Sequence, residues 1–239
     1  MFHPKGPTFY ELAVQALSST ERGYDLLAPK FDYTPFRTPD WLLEPVADYL
    51  KSVAPFQSAL DICCGTGAGI GLLRPLCRRR VVGLDFSKGM LDVCRQHVAD
   101  MPGEASVELV QANALAMPFD AAFDIVTCFG AFGHIQRRDE RRFVAEVARV
   151  VRPGGRFVFV TAHLPPMTSA SYWMARIFNA AMRVRNILIK PPFIMYYLTF
   201  LLPEVRRLLE GAGLGVEERP LDLPRPLSGY RLVIATRPQ

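Results

Sequence analysis

Ala59-Leu60-Asp61-Ile62-Cys63-Cys64-Gly65-Thr66-Gly67-Ala68-Gly69 is the stretch on which the reading of this chain turns. An apolar run of buried-strand length, Ala59–Cys63, empties into alternating glycines and then a helical stretch, Gly69–Leu76. Such a turn lets backbone N–H groups approach a ligand closely, at a helix N-terminus that favours anionic groups. The glycines at 65, 67, 69 and 71 fit G-x-G-x-x-G in no register, so taken alone the turn also reads as a tight structural connection. The next apolar run, Val81-Val82-Gly83-Leu84-Asp85, ends in a carboxylate 18 residues beyond Gly67, where two acceptor oxygens suit both hydroxyls of a ribose. Asp85 by itself is equally a helix cap ahead of Ser87. Turn and carboxylate together favour the ribose.

Outward from this pair the same alternation continues. Apolar runs recur at Val107–Gln111, Phe123–Cys128 and Arg156–Ala162, with helical stretches at Lys88–Val98 and Asp139–Val151. Arg152-Pro153-Gly154-Gly155 reads as a helix stop and turn. Upstream, a polar, aromatic region (8–36) leads into a helix opened by Thr38-Pro39-Asp40 and reaching Val53. Strands alternating with helices predict an α/β, doubly wound, mostly parallel sheet. The rhythm breaks for 39 residues, Leu164 to Leu202, then resumes with a helix over Pro203–Glu210 and two runs, Leu214–Leu221 and Tyr230–Ala235. Pro224-Arg225-Pro226-Leu227-Ser228-Gly229 between those runs allows a hairpin, hence an antiparallel edge. The expectation is one domain, 1–239.

Half of the 239 residues are apolar and 11% aromatic, which excludes disorder. The net charge of +5 permits contact with nucleic acid or anionic lipid without demanding either. Residues 164–202 contribute +4 of it (four cations, no acid), so the other 200 residues total +1 and nothing in them calls for nucleic acid. Five cysteines form no C-x-x-C pair and lie in or beside apolar runs, which suits small buried hydrophobes in a reducing compartment. There is no secretory pattern and no run of about 18 apolar residues, so a cytoplasmic location is expected. No zinc-ligand or phosphate-loop pattern occurs, and no metal is expected.

Taken in order, the motifs resemble the class I S-adenosylmethionine-dependent methyltransferases, especially the small-molecule branch that includes quinone and sterol methyltransferases. Asp61-Ile62-Cys63-Cys64-Gly65-Thr66-Gly67 is similar to the family's first motif, acidic-x-Gly-x-Gly-x-Gly, with Cys63 in place of the first glycine. Gly83-Leu84-Asp85-Phe86-Ser87 with Met90-Leu91, Ala112-Asn113-Ala114 before Met117-Pro118-Phe119, Phe123-Asp124-Ile125-Val126, and Val151-Arg152-Pro153-Gly154-Gly155 follow at the family's spacing. Tyr24-Asp25-Leu26-Leu27-Ala28 is more loosely similar to its N-terminal segment.

The resemblance implies a Rossmann-like seven-stranded sheet of order 3-2-1-4-5-7-6 and S-adenosylmethionine as cofactor, with S-adenosylhomocysteine as product. It implies an N-terminal cover (1–37), a cofactor-binding core (38–163), a cap (164–202) and a final helix with hairpin (203–239). Gly65, Thr66 and Gly67 would line the methionine moiety, with Asp61 toward its ammonium. Asp85 would hold the ribose, Phe86 and Met90 the adenine, and Asn113 the adenine amino group, with Ala114 also at the cofactor. Phe129 would stand near the sulfonium, and Tyr24 would cover the cofactor. Methyl transfer from a sulfonium needs alignment and dryness first, and a base only where the acceptor must lose a proton. His134 and His163, each after a strand, are the candidates for that; His97 and His3 are poorer ones. The activity implied is methyl transfer to a small hydrophobic or aromatic acceptor. The alternatives are a methyltransferase-like binding protein with weak turnover and a nicotinamide-dependent oxidoreductase.

Two patterns are set aside. Lys190-Pro191-Pro192-Phe193 imitates the motif of DNA amino-methyltransferases but follows the wrong strand, and Lys accepts no hydrogen bond. Arg78-Arg79-Arg80 and Arg137-Arg138 with Arg141-Arg142 read as helix ends or solvated faces.

Within the cap, Arg176, Asn179, Arg183, Asn186 and Lys190 recur at intervals of 3, 4, 3 and 4, one stripe of a helix of about 20 residues. Trp173, Ile177, Ala180, Ala181, Val184, Ile187 and Leu188 fall opposite. Three readings stay open: the apolar side packs on the domain; the segment is a lid over a greasy acceptor, with Trp173, Met174, Tyr196 and Tyr197 as cap residues; or residues 171–190 touch an anionic membrane peripherally.

Overall fold

The computed structural model describes residues 3–223 and 227–239. Its strands are β1 (Phe56–Ile62), β2 (Cys77–Asp85), β3 (Ser106–Gln111), β4 (Phe123–Cys128), β5 (Val151–Ala162), β6 (Gly215–Pro220) and β7 (Tyr230–Thr236). They form one sheet in the order β3-β2-β1-β4-β5-β7-β6. β1 to β5 are parallel, and β7 runs antiparallel to both β5 and β6. The helices are α1 (Phe9–Leu17), α2 (Thr20–Leu27), α3 (Asp40–Val53), α4 (Ala68–Leu73), α5 (Lys88–Val98), α6 (Glu140–Val150), α7 (Ala170–Leu188) and α8 (Glu204–Gly211).

The period-2 alternation of the central strands splits the core into two layers. Leu60, Ile62, Val82, Leu84, Val126, Phe157 and Phe159 meet the Phe143-Val147 stripe of α6 and Val205 with Leu209 of α8. On the other face Ala59, Val81, Ile125, Val158 and Ile234 meet Val46 and Leu50 of α3, Ile70 of α4 and Leu91 of α5. Each fully buried side chain of this size contributes about 1.5–3 kcal/mol through burial. Asp124 closes the amino end of the sheet. Its Oδ2 accepts the N–H groups of Gln57 (2.9 Å) and Ser58 (2.7 Å), and its Oδ1 pairs with Arg152.

Three expectations are corrected. β2 starts at Cys77, so Arg78-Arg79-Arg80 lie inside a strand and not at a helix end; their polarity hid the strand's exposed amino end. The helix stop at Val150 is real, but the turn expected at Arg152–Gly155 is a bulge within β5. Phe123 pairs with Val151 while Ile125 pairs with Arg156, and Gly154 and Gly155 are hydrogen-bonded to Arg237. The part of the hairpin turn expected at Pro224–Pro226 lies outside the described residues.

The third correction is the orientation of α7. Its asparagines face inward. Asn186 accepts the Phe193 N–H (2.9 Å) and donates to the Phe193 carbonyl (3.0 Å) and Tyr196 Oη (3.1 Å). Asn179 likewise clamps both backbone groups of Tyr197 at 2.8 Å. The segment after α7 lacks regular structure, and these amides supply the backbone partners it needs. That demand turns the apolar side of α7 to solvent, where Ile177 is 68% and Ile187 76% exposed. The apolar-side-inward reading is therefore overturned. Residues 193–202, in contrast, are anchored in the core through Phe193, Phe200 and Leu202, with Phe200 stacked on Phe132 at 4.4 Å.

Candidate functional site

Between β1 and β4 the strand order reverses direction, and open parallel sheets bind ligands beyond the carboxyl ends at such a point. A pocket with about 740 Å³ of open space lies there, walled by the β1–α4 turn, the end of β2, the β4–α6 loop and the N-terminal segment. Two buried carboxylates reach it. Asp61 takes one hydrogen bond, from Thr127 Oγ1 to Oδ1 (2.7 Å), and its Oδ2 has none among the described residues. Burial pushes this carboxyl up to about 7 against the Thr127 hydrogen bond. Gly69 has to be a glycine here, because a Cβ at that position would run into the Asp61 carboxylate.

Asp85 accepts the Ser87 N–H on Oδ1 and the Gly65 N–H on Oδ2, both at 2.9 Å. Burial raises its pKa and these N–H groups oppose that, so the carboxylate both fastens the turn and keeps lone pairs toward the pocket. The turn is built on left-handed backbone at Cys63 (φ 55°), Gly65 (φ 53°) and Gly67 (φ 101°). Cys63, which departs from the motif, thus occupies a conformation that favours glycine.

The N-terminal segment is fastened over this turn by carboxylates. Asp25 accepts Ser87 Oγ (2.7 Å) and the Gly89 N–H (2.8 Å), and Asp32 accepts Thr66 Oγ1 (2.6 Å). His97 donates from Nδ1 to the Thr66 carbonyl (3.0 Å), so this helix histidine supports the turn from behind. Tyr24 enters the pocket within an aromatic group: Phe86 (6.3 Å), Phe31 (6.2 Å) and Phe193 (6.3 Å) surround its ring. Its hydroxyl donates to His134 Nε2 (2.7 Å), because His134 Nδ1 must carry the proton given to the Ile194 carbonyl (2.6 Å). Burial lowers the His134 pKa and pushes that of Tyr24 far up, so both are neutral near pH 7. Replacing Asp25 with Ala deletes two hydrogen bonds to a charged acceptor, each worth about 1.5–3 kcal/mol. Hydrogen exchange across residues 20–33 should accelerate while the central strands keep their protection; uniform protection in the variant would contradict this fastening.

The pocket brings together Tyr24, Asp61, Gly65, Thr66, Asp85, Phe86, Met90, Phe129 and His134. Gly67 stands behind the lining, where a Cβ would press on Cys94 Sγ and Met101 Cε at 2.8 Å. Asn113 is exposed and outside the lining; its Oδ1 accepts the Leu115 N–H (2.8 Å), and the neighbouring Ala114 packs on the core. His163 is exposed beside Leu202, away from the pocket. Trp173, Met174, Tyr196 and Tyr197 do not line the pocket either. Tyr196 and Tyr197 are held by the two asparagines. Tyr196 and Tyr197 instead line the groove beside α7. Sequence reasoning missed Asp25, Asp32, Phe31, Phe36 and Arg37, and took His97 only as a poor candidate base. Only Asp25 sat in a motif, and the others carry no spacing signal. Among the described residues no cluster of three or more metal-ligating side chains occurs, and no helix is long and apolar enough to cross a membrane.

Residues 59–155, which carry both carboxylates and the β4 wall, match a family described as a methyltransferase domain. The chain resembles a methyltransferase over this stretch. It is 39% identical over 121 residues to demethylmenaquinone methyltransferase of Bacillus cereus (strain ATCC 10987 / NRS 248), a match covering 49% of this chain and 50% of that one. The chain thus matches about half the length of that relative. The fold is shared with the N-methyltransferase NodS from Bradyrhizobium japonicum WM9 in complex with S-adenosyl-l-homocysteine. That likeness has a TM-score of 0.64 at 14% identity and covers 93% of this chain and 100% of the other. An O-methyltransferase family protein from Burkholderia thailandensis gives a TM-score of 0.63 at 19% identity, over 99% of this chain and 66% of the other. The pocket places two acidic groups among aromatic rings, a set suited to a cationic ligand that carries a diol.

Proposed function

We propose that this protein transfers a methyl group from S-adenosylmethionine to a small apolar or aromatic acceptor. The observation that carries the reading is the pair of buried carboxylates, Asp61 and Asp85, facing one aromatic-lined pocket. Asp85 would take the ribose hydroxyls, Asp61 Oδ2 the ammonium, Phe86 and Met90 the adenine, and Tyr24 with Phe129 the sulfonium end. When bound, the cofactor supplies an electrophilic methyl on a good leaving group. The protein's work is then to orient the acceptor, keep water out, and receive a proton where the acceptor has one to lose. Tyr24 and His134 can do the last: the acceptor's proton passes to the Tyr24 oxygen while the Tyr24 proton moves to His134 Nε2. The imidazolium so formed is held through Nδ1–H on the Ile194 carbonyl. Phe193 backs the pocket by stacking on Tyr24 (6.3 Å).

The relative's name makes demethylmenaquinone the first acceptor to try. The reading includes peripheral contact of residues 171–190 with a membrane, where an apolar acceptor partitions. A nicotinamide-dependent reaction is not favoured. With methyl-labelled S-adenosylmethionine, label should enter an organic-soluble product. His134→Ala should then lower kcat about 10²–10⁴-fold for a protic acceptor and leave cofactor binding nearly unchanged. Cofactor binding without transfer to any apolar phenol, quinol or quinone would favour the binding-protein alternative.

A further inference from the structure

The outward side of α7 has no partner within the protein. Trp173, Met174, Ile177, Val184, Ile187 and Leu188 are 52–76% exposed along one stripe. A contiguous apolar stripe of this kind on a surface helix marks an interaction site. Along one margin of the stripe run Arg176 and Arg183, neither with a hydrogen bond or ion pair among the described residues. They form one wall of an open groove of about 1530 Å³, which Arg137 and Arg138 also line. Two carboxylates share the groove, but both are engaged: Glu140 is buried and accepts the Phe200 N–H (3.1 Å), and Glu204 pairs with Arg207 (3.2 Å).

Charge decides which occupant suits the surface. Residues 164–202 hold four cations and no acid, so a second copy packed α7 to α7 would set like charges against each other with nothing to offset them. An apolar protein face would leave Arg176 and Arg183 without anions; Arg138 already pairs with Asp139 (3.7 Å). A bilayer with anionic headgroups answers both features, since its acyl boundary takes the stripe and its phosphates take the arginines.

We propose that α7 lies in the plane of an anionic phospholipid surface, its apolar stripe in the headgroup boundary and lipid phosphates in the groove of Arg137, Arg138, Arg176 and Arg183. This deepens the apolar-acceptor reading by naming the surface on which such an acceptor is met, and it rests on that reading only there.

The test uses the full chain carrying Trp41→Phe, so that Trp173 is the reporter. Vesicles of phosphatidylcholine alone are compared with vesicles containing phosphatidylglycerol. Sedimentation should show binding to the anionic vesicles at least tenfold above the neutral ones, weakening as salt rises from 50 to 300 mM. Trp173 emission should shift to the blue and be quenched by brominated acyl chains. Ile177→Asp with Val184→Asp should cut binding at least tenfold, and Arg176→Glu with Arg183→Glu should remove the anionic preference. Both pairs sit on exposed positions, so S-adenosylhomocysteine affinity should hold. No binding to either vesicle, binding indifferent to both variant pairs, or a concentration-dependent dimer abolished by Val184→Asp would overturn the proposal. Each of those results leaves the cofactor and acceptor assays standing, so the two readings fail separately.

Discussion

Replacing Asp85 with Ala should weaken binding of S-adenosylhomocysteine by at least about 100-fold in isothermal titration. The variant removes the acceptor of two ligand hydroxyls, and hydrogen bonds to a charged group are worth about 1.5–3 kcal/mol each. Two of them amount to about 3–6 kcal/mol, or two to four orders of magnitude in affinity. The Gly65 N–H also loses its partner, so the turn that faces the ligand loosens in the same step. Asp85→Asn keeps the size and one acceptor oxygen, and its affinity should fall between wild type and Asp85→Ala. Wild-type affinity in a folded Asp85→Ala protein would remove the basis for placing the ribose here.

Asp61 predicts a second large effect, and its sign is specific. In the free pocket burial pushes this carboxyl up to about 7. An ammonium placed against it requires the ionised form, and an α-amino group stays protonated up to about pH 8. Affinity should therefore be level between about pH 7 and 8 and decline toward tenfold per unit as pH falls below 7. Asp61→Asn should flatten that profile and weaken binding about 100-fold, the cost of leaving one half of a buried ion pair without its partner.

Stability moves the opposite way. The unfolded carboxyl titrates near 4, so between about pH 4 and 7 the unfolded chain has lost a proton that the folded one retains. The contribution of Asp61 to stability is thus full below about pH 4 and lost as pH rises through 7. Thermal melts should show Asp61→Asn gaining on wild type at pH 8 and matching it at pH 4. A gain at pH 4 alone would reverse the assigned shift.

Much of the fold was legible because its signals are local. The apolar runs Val81–Asp85 and Phe123–Cys128, the helical stretch of α6 and the glycine turn give the alternation of strands and helices and point to Asp85, while the strand order and the role of Asp61 came with the family resemblance. What escaped depends on distant partners. Arg78-Arg79-Arg80 carry no apolar period, so the projecting start of β2 could be seen only beside β1 and β3. Asp32, reaching Thr66 across 34 positions, belongs to no motif. The inward side of α7 reversed the hydrophobic pattern because Asn179 and Asn186 satisfy the backbone of a loop whose position the sequence does not reveal. Asn113 was placed by motif alone, and its side chain is occupied with the Leu115 N–H.

The most direct test is a crystal structure with S-adenosylhomocysteine. Its ribose hydroxyls should lie on Asp85, its ammonium on Asp61, and its sulfur toward Tyr24 and Phe129. A ligand bound with Asp61 and Asp85 both uncontacted, or nicotinamide dinucleotide occupying the pocket in its place, would contradict this placement.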